Sequence, residues 1–230
     1  MNRMKVSDKM RKYLEDKINC QNVIKFIKEN EDNQTTNKII INSIPVSIET
    51  TTRVDDLRAK FEIYDFITES NYTGFEYFPY LYGVLECKDE FLLYVFHESF
   101  DGNLYEAIEN IEHASEWYSI IFQLLLINNY IETTSYHHTI NNFMYKKNPI
   151  QQEYEIEGYI FSIRHKYLIV LWNLTLMETS PDNADMILDF ISSREFKIPA
   201  SFRIIKMLQE IKANPKEIWK ILDQYYNLKK

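Results

Sequence analysis

Glycine is scarce in this chain: four in 230 residues, at positions 74, 83, 102 and 158. Average usage is about 7%. With none before Gly74, no glycine-rich loop that cradles phosphates can form in the first third of the chain. Only two cysteines occur, Cys20 and Cys87, in no metal-ligating spacing. They suggest no disulfide framework, so two inert thiols in a reducing compartment are expected. No Lys/Arg run exceeds two residues and the formal net charge is −8, which argues against a general nucleic-acid binder. Apolar runs such as 120–127 are too short to span a bilayer. The polar, charged N-terminus does not read as a signal peptide. A cytoplasmic, intracellular protein without membrane contact is the expectation.

What is present is a globular composition, 45% hydrophobic and 15% aromatic. Residues 4–30 carry apolar side chains at helical spacing through Val6, Met10, Leu14, Ile18, Val23 and Ile27. "KIIINSIPVSIETTT" (38–52) is rich in β-branched residues around Asn42-Ser43 and predicts two strands with a tight turn. Helical period returns over 53–70. "YLYGVLEC" and "FLLYVFHE" predict a hairpin turning at Lys88-Asp89-Glu90. An Asp-Gly turn and short helix follow, then a strong helix over 115–132 with Trp117, Ile120, Ile121, Leu124 and Leu125 on one face. "YIFSI" (159–163) and "YLIVLW" (167–172) read as two β-like runs separated by Arg164-His165-Lys166, within a second hairpin. Helices are expected at 182–193, 199–212 and 215–228. The last should open on Asn214 as N-cap, Pro215 and a capping box closed by Glu217. The class is α+β: a helical extension over 1–36, a mixed lobe over 37–99 and a mainly helical lobe over 100–230.

The order of these elements resembles a protein kinase. "IPVSIETTT" resembles the third strand of the kinase N-lobe, and "RVDDLRAKFEIYDFIT" the following helix, with Glu62 at its glutamate. "FPYLYGVLECKDEFLLYVFHESFDGNLYEAI" resembles the next two strands, the hinge and the start of the next helix. "YSIIFQLLLINNYIETTS" is similar to the helix before the catalytic loop, and "INNFMYKKNP" to the end of that loop. "EIEGYIFSIRHKYLIVLWNLT" resembles the long hairpin in the compact kinase-like proteins of large DNA viruses. The resemblance covers roughly residues 38–195. It implies a two-lobed kinase-like fold with a degenerate N-lobe sheet and a truncated C-lobe.

Phosphoryl transfer by a kinase requires a glycine-rich loop, a strand lysine, a catalytic aspartate, and an asparagine and aspartate on the metals. The resemblance places Glu49 where the lysine belongs, a charge of opposite sign. Lys38 lies in the preceding strand. If Asn142 is the loop asparagine, the catalytic aspartate position holds His137; if Asn141 is, it holds Tyr136. Asn173 follows "YLIVLW" where the metal-binding aspartate belongs, and a neutral amide is a poor sole ligand for Mg²⁺. Whatever the register, no aspartate occurs between Asp101 and Asp182. No "A-P-E" segment is present, and Asp182 or Asp185 is the weakest equivalent of the aspartate that anchors the catalytic loop.

The remaining candidates favour structural roles. Adjacent His137 and His138 rarely address one ion, and no Cys or carboxylate lies beside them. Asn142 is better suited to bonding its own loop backbone than to a metal. Glu62 reads as a surface charge or a partner of Arg58. Phe75, Tyr77, Phe78, Tyr80 and Tyr82 read as packing aromatics. Tyr225-Tyr226, with Trp219, fit equally a partner-binding face and a core seam. The expectation is a pseudokinase, not an enzyme, acting through a protein partner, with no catalytic residue, no metal and no cofactor. The alternatives are an atypical nucleotide-binding Ser/Thr kinase using Asn142 and Asn173, and a structural or virion α+β protein.

Overall fold

A computed structural model describes residues 3–30, 38–52, 57–72, 75–90, 92–176 and 202–227. The chain is α+β and forms two compact units, Met1–Ser99 and Phe100–Lys230. The expected helix at 182–193, with Asp182 and Asp185, lies outside the described residues, as does the side chain of Arg58.

The first unit opens with α1 (Arg3–Lys17) and α2 (Cys20–Asn30). The expected continuous helix is interrupted at Asn19, whose side chain accepts the Asn22 backbone N–H at 3.0 Å and starts a new helix. Four antiparallel strands follow: β1 (Lys38–Ile41), β2 (Ile44–Thr52), β3 (Leu81–Cys87) and β4 (Leu92–Glu98). Their spatial order is β1-β2-β4-β3, and α3 (Leu57–Tyr72) connects β2 to β3. The first turn holds Asn42 and Ser43 at φ 49° and 65°, the left-handed pair that matches strand twist in a two-residue hairpin.

Alternation sorts the sheet's faces. Ile39, Ile41, Val46, Ile48, Tyr82, Tyr94 and Phe96 join Met10, Leu14 and Val23 in one core. Leu93 and Val95 point the other way, onto Tyr64 of α3. A Cβ at Gly83 would stand 3.2 Å from Leu14 Cδ1, so α1 sits closely over β3 there. Arg3 fixes the start of α1: its guanidinium donates to the Glu98 carboxylate at 2.6–3.2 Å and to the Phe78 carbonyl at 2.9 Å. It also stacks over Tyr80, 4.8 Å from the ring centre.

The cysteine expectation is corrected here. Cys20 and Cys87 form a disulfide joining the start of α2 to the end of β3. They lie 67 residues apart and only the folded sheet brings them together, so no local spacing announced the pair. Tyr77, Phe78, Tyr80 and Tyr82 are buried, as packing aromatics should be.

The second unit runs through β5 (Gly102–Asn103), α4 (Leu104–Glu109), α5 (Ala114–Ile131), β6 (Tyr136–His137), β7 (Phe143–Ile156), β8 (Tyr159–Leu171) and β9 (Thr175–Leu176). It closes with α6 (Phe202–Ala213) and α7 (Ile218–Asn227). The hairpin differs from expectation. Residues 159–163 and 167–171 do not form separate runs; both belong to β8, and its partner is β7, from Phe143↔Leu171 to Ile156↔Tyr159. Arg164-His165-Lys166 make no turn, because His165 keeps the alternation and is fully buried beside Phe161, Ile163 and Tyr167. The turn falls at Glu157-Gly158, at φ 51° and 80°, where glycine relieves the left-handed strain. The start of the last helix also departs from expectation. Pro215–Glu217 form a 3-10 turn, and Asn214 makes no side-chain cap. Its amide instead donates back to the Glu210 carbonyl at 3.4 Å, and Glu217 pairs with Lys220 at 3.0 Å.

Candidate functional site

The stretch "TSYHHTINNFMYKK" leaves the end of α5 and enters β7. Thr134 ends the helix: its backbone and hydroxyl both donate to the Ile131 carbonyl, and its hydroxyl accepts the Tyr136 N–H. Tyr136 and His137 then pair with Leu176 and Thr175. The loop closes on Asn142, whose side-chain oxygen accepts the Thr139 N–H at 2.6 Å and the Thr139 hydroxyl at 2.9 Å. The Asn142 N–H donates to the Thr139 carbonyl at 2.9 Å. The Asn142 carbonyl accepts the Trp172 N–H at 2.7 Å, joining the loop to the segment after β8.

This geometry brings three of the sequence-derived positions into one region. His137 lies buried in β6, opposite Thr175. Asn173 is half-buried in the short link between β8 and β9. Asn142 stands at the base of β7, its oxygen turned into its own loop. Asn141 points elsewhere, accepting the Tyr105 hydroxyl at 3.1 Å. His138 is buried, packs 5.1 Å from the Phe143 ring, and has no hydrogen-bond partner on either nitrogen among the described residues. Burial, with His137 adding to it, pushes its pKa down to about 4, so the ring stays neutral. No carboxylate lies in this loop. Glu132 is engaged by the Asn128 amide at 2.6 Å, while Glu153 and Glu155 are exposed on β7. Among the described residues no group of three or more His, Cys, Asp or Glu could hold a metal.

Glu49 belongs to the first unit. It lies on β2 opposite Val95 and accepts the Tyr64 hydroxyl of α3 at 3.1 Å. Burial, reinforced by the Glu49 charge, raises the Tyr64 pKa well above its ordinary value. A neutral donor on the helix therefore meets an acid on the strand. A kinase has the reverse polarity, a strand lysine meeting a helix acid. Glu62 is exposed on α3.

Sequence reasoning missed a buried polar network behind this loop. His165 sits between Ser119 of α5 and Tyr154 of β7, with both ring nitrogens at 2.7 Å from a hydroxyl. Burial lowers its pKa to about 4. One helical turn on, Gln123 acts as a substitute strand along the edge of β8. Its amide donates to the Tyr167 carbonyl at 3.0 Å and its oxygen accepts the Ile169 N–H at 2.9 Å. These residues make α5 polar on a face that is nonetheless buried; the only sequence signal was Ser119 and Gln123 inside the apolar run 117–127. Gln123→Leu should cost about 2 kcal/mol, because a strand N–H and C=O are stranded in the core. Urea denaturation of the variant measures it, and an unchanged midpoint would count against this role. Trp219 and Tyr225 are buried, and Trp219 packs on Phe122 and Phe161, so this part of α7 is core seam.

Comparison with known proteins bears on kinship. No family model matches the chain. Over 272 aligned residues it is 37% identical to the uncharacterized protein R691 of Acanthamoeba polyphaga mimivirus, covering 98% of this chain and 99% of that protein. The chain belongs to the family of this mimivirus protein. The match runs through both proteins nearly end to end. Its mimivirus member gives the chain a viral relative. Among the described residues, no helix is long and apolar enough to cross a membrane.

Proposed function

We propose that this chain is a catalytically inactive, kinase-like protein that acts by binding another protein. The observation that carries the reading is the Asn142 loop. It is built and braced where a catalytic loop would be, while its metal-binding oxygen is spent on Thr139. The order of elements supports the same reading. In the first unit, a strand, a helix and a hairpin follow one another, with β2 beside β4. In the second, a long helix leads to the loop, and the β7–β8 hairpin returns the chain to Trp172 and Asn173. The chemistry does not follow the architecture. Glu49 replaces a lysine, His137 an aspartate and Asn173 a second aspartate. Phosphoryl transfer is almost entirely positioning and charge stabilisation, so these changes remove its main contributors.

A viral relative fits a factor that engages a host or viral protein, and the net charge of −8 disfavours nucleic acid as the partner. The atypical-kinase alternative needs a free Asn142 oxygen, which the loop geometry does not offer. A thermal-shift titration decides between them. A nucleotide present at about 100 times its Kd would add roughly 2.7 kcal/mol to stability. The expected result is no shift with millimolar ATP and Mg²⁺ or Mn²⁺. Sustained metal-dependent autophosphorylation that Asn173→Ala abolishes would overturn the proposal.

A further inference from the structure

Among the described residues, the β7–β8 hairpin is closed along one edge and open along part of the other. On the β8 side, the Tyr226 hydroxyl of α7 donates to the Ser162 carbonyl, and Gln123 bonds the Tyr167 carbonyl and the Ile169 N–H. On the β7 side, β5 pairs with Met144 and Tyr145. The Asp101 N–H donates to the Tyr145 carbonyl at 3.0 Å, and the Lys147 N–H donates to the Asp101 carboxylate at 2.6 Å. Beyond the register shift between Lys147 and Ile150, no strand among the described residues lies along that edge.

Register sets which backbone groups face outward there. Ser162 lies opposite Glu153, and its carbonyl is turned away from β7, onto Tyr226. Glu153 therefore belongs to a pair that exchanges no ladder bonds, and its own N–H and C=O point away from β8. Alternation gives Gln151 and Glu155 the same direction. All three residues are exposed, and among the described residues nothing bonds their outward backbone groups. Their side chains share one face of the hairpin, and Glu157 follows in the turn.

An open strand edge offers main-chain hydrogen bonds to an extended segment, and the side chains along it select which segment fits. Here those side chains are acidic. Glu153 and Glu155 make no ion pair among the described residues; Arg164, the cation on the same face, lies on β8 opposite Gln151. A second copy of this edge would set carboxylates against carboxylates, which disfavours self-pairing. A segment with lysine or arginine at alternate positions sets a cation against each acid.

We infer that the outer edge of β7, over 151–155, takes up an extended segment of a protein partner as an added strand, with basic side chains opposite Glu153 and Glu155. The proposal rests on the protein-binding reading and names the chemistry of the partner. The probe is a capped peptide alternating lysine with threonine, titrated into the full chain by fluorescence anisotropy. Two controls accompany it: the same peptide with glutamate for lysine, and the lysine peptide with its backbone amides N-methylated. The lysine peptide should bind saturably, and each control about tenfold more weakly or worse, since one loses the charge match and the other the strand's donors. Amide exchange followed by NMR locates the site. The N–H groups of Gln151, Glu153 and Glu155 should be protected on binding, while those of Gln152 and Tyr154, which face β8, should not change. Glu153→Gln keeps the N–H and removes one charge, so it should weaken the lysine peptide about threefold. Glu153→Pro removes an N–H that β8 does not use, and should abolish binding with circular dichroism and thermal midpoint unchanged. If the proline disturbs the hairpin, Glu153→Gln and the exchange pattern still decide. No saturable binding, equal binding of either control peptide, or protection away from this edge would each overturn the assignment. Self-association in sedimentation that Glu153→Pro abolishes would also overturn it, because a second copy would then hold the edge. Loss of this edge with no thermal shift from ATP leaves the protein-binding reading standing, so the two proposals fail separately.

Discussion

Acidification from pH 6.5 to 5 should destabilise the protein steeply. Of the four buried histidines, three have a pKa lowered by burial: His97 in the first unit, His138 and His165 in the second. Each has its pKa lowered by burial to about 4, against an ordinary value of 6.5. In the unfolded chain each takes up a proton as pH falls through 6.5; in the folded chain it resists until about 4. The stability is therefore fully present above pH 6.5 and is lost on the way down to 4. Each histidine contributes a slope of about 1.4 kcal/mol per pH unit, or about 3 kcal/mol over the window. His138 and His165 together approach the whole stability of an ordinary domain, about 5–15 kcal/mol. Urea midpoints at pH 7, 6 and 5 measure the effect. His165→Gln should flatten the slope by about one proton even if it lowers stability at pH 7, since it removes the titration and part of the Ser119–Tyr154 bridge. A pH-independent midpoint across this window would refute the assignment of neutral buried rings.

Reduction of the Cys20–Cys87 bond should cost the first unit about 4 kcal/mol. The bond closes a loop of 67 residues, and on the chain-entropy account such a loop lies between the roughly 3 kcal/mol of a 15-residue loop and the 4.7 of a 100-residue one. The effect is exerted mainly on the unfolded state, where reduction frees the ends of α2 and β3 to separate. The folded contacts around Cys87, buried against Tyr82 and the α1–α2 core, persist in either state. Denaturation with and without dithiothreitol should resolve the difference in the first unit, and the second unit, which has no cysteine, serves as the internal reference. Mass spectrometry after alkylation without reduction should find no modified cysteine. Alkylation of both thiols in the native, unreduced protein would contradict the bond.

Local pattern carried far in this protein. The Asn42-Ser43 turn, the hairpin at Lys88–Glu90 and the α5 helix were legible because turn chemistry and hydrophobic period act over a few residues. The β7–β8 hairpin was misplaced because "RHK" looks like a polar break. His165 is tolerated in mid-strand only because Ser119, 46 residues away, and Tyr154 satisfy both its nitrogens. The capping box at Asn214 failed for a related reason: its amide turned back to Glu210 and the first turn tightened to a 3-10 form. At the candidate site, the acid at position 49 and the lack of acid at positions 137 and 173 could be read from residue identity alone. The engagement of Asn142 by Thr139 belongs to the folded loop and is not visible in residue identity.

The sequence by itself determined the α+β class, the absence of an aspartate across the whole loop and hairpin, and hence the poverty of the site in acid. These follow from residue type and short-range period, which need no knowledge of distant neighbours. The tertiary structure alone decided the disulfide, the pairing of β7 with β8 and the Gln123 contacts along the strand edge. Each depends on groups far apart in the chain meeting at hydrogen-bond or van der Waals distance. Whether a polar residue is buried with a partner or left in water is a property of that meeting.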